Sequence, residues 1–89
     1  MRERVRMTFT GQLNPASFAE FVHHRAGKLA VDAAVETASV DRCEVAVTGE
    51  PDLVDAFEMA CSLGPIDCLV LDYQRSDVLF PTPAKKDPR

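Results

Sequence analysis

Residues 8 to 21 read TFTGQLNPASFAEF, and they hold the side chains whose types and spacing come nearest to chemistry. Gly11 and Phe18 frame a turn from a strand into a helix, where backbone N–H groups and a helix N-terminus can hold an anion. Asn14, Ala16, Ser17 and Phe18 are the candidate anion-loop residues, with Pro15 among them offering no N–H. Further along, Glu20 and His24 at i,i+4 supply half of a metal site. His23 and His24 diverge by about 100° on a helix and do not easily share one ion. No third ligand is spaced to complete a site, so neither metal nor cofactor is expected. Cys43 alternates into a core, and Cys61 lies on an apolar helical stripe. Nothing beside them would lower their pKa, so they read as structural thiols rather than nucleophiles.

These residues need elements to position them, and the sequence predicts six. RVRMTFTG alternates, with Val5, Met7 and Phe9 facing one way and Arg4, Arg6, Thr8 and Thr10 the other. Asn14 then caps a helix that Pro15 initiates, with Phe18, Phe21, Val22, Ala26 and Leu29 as its inward stripe. VDAAVETAS and CEVAVTG alternate as a hairpin pair about VDR. A second helix starts at Pro51 and stops at Gly64-Pro65, with Leu53, Phe57, Ala60 and Cys61 as its expected buried stripe. IDCLVLDYQRS closes the series as a strand that reads apolar on both sides. The order β-α-β-β-α-β predicts an α+β, ferredoxin-like split βαβ: a four-stranded antiparallel sheet with both helices on one face.

Composition bounds the rest. Eighty-nine residues, 46 % hydrophobic and without tryptophan, make one small domain with a single two-layer core. Ten basic against fourteen acidic side chains give a net charge of −4, which opposes binding to nucleic acid or anionic membranes. The predicted open sheet face offers Arg4, Arg6, Thr8, Glu44, Ala46 and Thr48, with no aromatic to stack a base. Three cysteines without close pairing, no membrane-length apolar run and no secretory pattern at the start predict a cytoplasmic protein with reduced thiols. Residues 1 to 78 are expected to form the domain, and 79 to 89, carrying three prolines and a KK pair, a disordered tail.

With this order in place, the opening loop resembles that of the acylphosphatase family, roughly G-x-V-Q-G-V-x-F-R. Gly11, Leu13, Asn14 and Phe18 fall in register with its glycine, valine, glutamine and phenylalanine. KLAV, VAVTGEP and LGP follow collinearly, so the resemblance runs over about residues 3 to 78. It implies a loop that holds the phosphate of an acyl phosphate through backbone amides and a terminal arginine. It also implies an asparagine, at the end of strand two, that positions the attacking water. Position by position, the family's second glycine becomes Pro15, its arginine Ala19 and its asparagine Thr37. A donor, the guanidinium and a paired amide are thereby lost. Loss of a single oxyanion donor costs about 10² to 10³ in rate. His23, one turn from Ala19 on the same helical side, is the residue best placed to substitute.

The expectation is a non-catalytic acylphosphatase-like domain serving as a protein-interaction or weak anion-binding module. The alternatives are a hydrolase of acyl phosphates or a related phosphoryl substrate with a rearranged site using His23 or Thr37, and a structural accessory that dimerises. A monomer is expected, the open edge of strand four being where a dimer would form, and no partner is identifiable from the residues.

Overall fold

In a computed structural model of the chain, which describes residues 2–77, the six expected elements form in the expected order. They are β1 (Glu3–Gln12), α1 (Pro15–Leu29), β2 (Asp32–Ala38), β3 (Arg42–Gly49), α2 (Pro51–Leu63) and β4 (Leu69–Asp77). The strands lie in one sheet in the order β2-β3-β1-β4, every neighbouring pair antiparallel. The tail expected at 79 to 89 lies outside the described residues.

Period-two alternation makes β1 and β3 the floor of the core. Val5, Met7 and Phe9 face it from β1, and Cys43, Val45 and Val47 from β3. Onto them pack Phe18, Val22 and Ala26 of α1 and Val54, Phe57 and Cys61 of α2, all at helical spacing. Burying a phenylalanine or valine side chain contributes about 1.5–3 kcal/mol. The stripe of α2 is displaced from its expected place. Val54 is fully buried, whereas Leu53 and Ala60 are half-buried at the margin. Phe21 and Leu29 flank the α1 stripe in the same way.

β4 also departs from the apolar strand expected at 66 to 76. It begins at Leu69, and Ile66 is fully exposed in the loop before it. Register against β1 jumps between Thr10 and Gly11, leaving Leu71 as an extra residue. This bulge reverses the alternation. Val70 packs inward before it and Tyr73 sits opposite the inward-facing Phe9 after it. Asp72, Gln74 and Ser76 oppose the outward positions Thr10, Thr8 and Arg6. Beyond the bulge, then, the outer side of β4 is polar.

Candidate functional site

The β1–α1 junction is built against the β2–β3 turn and the start of β4. Gly11 sits at φ 156°, and a Cβ there would overlap the Leu69 carbonyl oxygen and lie 2.8 Å from the Leu71 amide nitrogen. Only glycine lets β1 lie against the β4 bulge at this point. The Gly11 amide donates to the Asp41 carbonyl at 3.1 Å and the Leu13 amide to the Val40 carbonyl at 2.7 Å. The turn between β2 and β3 thus closes against the loop and engages its first donors.

Asn14 caps α1 as expected, its Oδ1 accepting from the Ser17 amide at 3.2 Å, and Pro15 begins the helix. The Phe18 amide donates to the Asn14 carbonyl at 2.8 Å, and the Asn14 amide to Cys68 Sγ at 3.3 Å. Of the candidate loop residues, only Ala16 keeps a backbone N–H without a hydrogen-bond partner among the described residues. The Phe18 ring is wholly buried, 5.5 Å from the ring of Phe9, so its side chain serves the core.

Asp67, a residue with no signal in the sequence, is the principal addition. From the loop between α2 and β4 its carboxylate accepts from Ser17 Oγ at 2.7 Å and from Asn14 Nδ2 at 3.2 Å. An internal anion therefore sits on the first turn of α1, where the helix dipole favours negative charge. Fifty residues separate Asp67 from Ser17, too far for any local pattern to pair them.

The positions that the resemblance makes catalytic are not gathered into a charged pocket. Ala19 is half-buried and carries no charge. Thr37 is exposed on β2, just past a bulge at Glu36, and its side chain makes no hydrogen bond among the described residues. His23 is exposed and has no hydrogen bond or ion pair among them. Arg25 lies over the ring of Phe21, 5.2 Å from its centroid, and does not reach the loop. A hollow of about 270 Å³ beside the first turn is lined by Ser17, Glu20, Phe21, His24 and Pro65, so its one carboxylate opposes an anion. No group of three metal-binding side chains occurs among the described residues.

Two thiols lie within the core. Burial pushes Cys43 up to about 11 and Cys61 up to about 12, so both stay protonated at neutral pH. Cys68 is half-buried beside Asn14, and none of the three is in a disulfide.

Topology, glycine turn and capped helix together decide the architecture. The fold is that of the acylphosphatases. The structure matches an acylphosphatase from Coxiella burnetii with a TM-score of 0.80 and 19 % identity, over 99 % of this chain and 93 % of the other. It matches one from Bacillus subtilis at 0.78 and 19 % identity, over 98 % and 97 % of the two chains. It also matches full-length HypF, in a phosphate- and nucleotide-bound form, at 0.77 and 18 % identity, over 98 % of this chain and 12 % of that one. No protein-family model matches the sequence, and no curated protein does. Among the described residues, no helix is long and apolar enough to cross a membrane.

Proposed function

We propose that this chain is a non-catalytic domain of acylphosphatase-like fold that acts as an interaction module in the cytoplasm. The observation that carries this reading is the Asp67 carboxylate, held by Ser17 and Asn14 on the first turn of α1. A phosphoryl-transfer site needs positive potential where charge develops. This loop presents a fixed negative charge, and Ala19 stands where the resemblance puts the family's guanidinium. The other loop amides are spent on Asp41, Val40 and Asn14, which supports a structural role for the turn. The free, core-buried thiols Cys43 and Cys61 suit a reducing compartment.

The test is hydrolysis of benzoyl phosphate by the full-length protein. The expected rate is the uncatalysed background, unchanged by saturating inorganic phosphate or by His23→Ala. Turnover above background that His23→Ala or Thr37→Ala abolishes would establish the hydrolase alternative instead.

A further inference from the structure

The outer face of the two helices is left uncovered by any described residue, and its chemistry is self-complementary. A groove of about 430 Å³ runs between α1 and α2, lined chiefly by Phe21, Arg25, Ala56, Met59 and Leu63. Met59 is 70 % exposed and Leu63 78 %, on a helix whose opposite stripe is wholly buried. Spacing of i, i+4, i+7 and i+11 puts Asp52, Ala56, Met59 and Leu63 on one outward line of α2. Phe21, His24 and Lys28 form the matching line of α1.

The two lines run in opposite directions. The end of α2 lies beside the start of α1: a Cβ on Gly64 would sit 3.8 Å from the Phe18 ring, and Pro65 shares a hollow with Ser17. Lys28, in the last turn of α1, therefore lies at the same end of the layer as Asp52, in the first turn of α2. A twofold axis parallel to the helices sets α1 of one copy over α2 of the other. Lys28 then meets Asp52 of the second copy, twice by symmetry, and Phe21 meets the Met59–Leu63 segment. That segment carries no charge, so Glu20 meets no like charge there.

We infer that the α1–α2 face is a self-association surface whose occupant is a second copy of this chain, docked about such an axis. The apolar line supplies the attraction and the two Lys28–Asp52 contacts set the orientation. This differs from the β4-edge dimer considered for the sequence. It does not depend on the loop's chemistry, so it stands or falls separately from the hydrolysis assay.

Sedimentation equilibrium of the full chain, up to about 1 mM, tests it, since a two-helix face is small and its dimer weak. A reversible monomer–dimer equilibrium is expected, and Met59→Glu raises the dissociation constant at least about tenfold. Met59 is exposed, so unchanged circular dichroism accompanies that loss. Lys28→Glu and Asp52→Lys, each of which turns two attractions into repulsions, weaken the dimer about tenfold alone. Mixed together, they recover wild-type association as a heterodimer. A protein monomeric at every concentration overturns the inference. So does a dimer indifferent to both the Met59 and Lys28 changes, or one abolished by Leu71→Pro at the β4 edge alone.

Discussion

Asp67 sets a carboxylate of the chain's own on the first turn of α1. Its carboxylate satisfies the Ser17 hydroxyl and the Asn14 side chain while standing at the positive end of α1. The same Asn14 accepts from the Ser17 amide, so one side chain links the helix cap to the α2–β4 loop. Charge-assisted hydrogen bonds contribute more than neutral ones, but this site is exposed, which discounts them. Asp67→Ala is expected to lower unfolding stability by about 1 kcal/mol, with Asp67→Asn falling between it and wild type. Urea melts read this directly. A double-mutant cycle with Ser17→Ala assigns the coupling to that one contact. Stability unchanged in Asp67→Ala would remove the carboxylate from the account of the loop.

At the scale of elements, strand and helix registers follow from irregularities as much as from regular pattern. The bulge at Leu71 turns the inner and outer sides of β4 over, and Gly11 is the residue that lets β1 lie against it. Gly11→Ala is expected to cost about 2–4 kcal/mol, since both the backbone angle and the contact with Leu69 must change. Gly27 is the contrasting case: it is exposed in α1, with nothing within 4 Å of an added Cβ. Gly27→Ala is expected to add up to about 1 kcal/mol of helix propensity. Thermal melts at micromolar concentration distinguish the two signs. The β2 bulge has a different use. It places Glu36 to accept from Arg6 at 2.8 Å across β3, where small Ala46 lets the two long side chains meet.

For the molecule as a whole, charge ties the layers together and sets the pH response. Arg75 of β4 bonds Glu3 of β1 at 2.7 Å and Asp55 of α2 at 2.7 Å, joining the sheet to a helix through one guanidinium. On the outer face, Arg2–Asp32, Arg6–Glu36 and Arg42–Glu44 pair charge with charge, leaving that face polar and largely self-satisfied. The hydrogen bond from Arg6 holds the Glu36 carboxyl below its usual 4.5. Its stabilisation is therefore present above that value and fades as pH falls through the lowered folded one. In base, the unfolded chain releases the Cys43 and Cys61 protons near 9, while the fold keeps them to about 11 and about 12. Their contribution is full below 9 and lost as pH rises through those folded values. Urea midpoints against pH should fall at both ends, with Glu36→Gln flattening the acid limb and Cys43→Ala the alkaline one.

Alternation in β1 and β3, the Asn14-Pro15 and Pro51 helix starts and the Gly64-Pro65 stop were legible in the sequence, and with them the order of elements and the fold. These signals lie within a few residues of one another, so backbone geometry and local burial suffice to specify them. Ala19 and Thr37 were equally legible as the residues at their positions. What the chain does around them needed tertiary contacts: Asp67 on Ser17 fifty residues away, the Val40 and Asp41 carbonyls on the loop amides, Glu36 reaching Arg6 over β3. Such partners are chosen by strand order, by bulges and by where two loops happen to meet. No periodicity encodes them, because each depends on the whole sheet being assembled first.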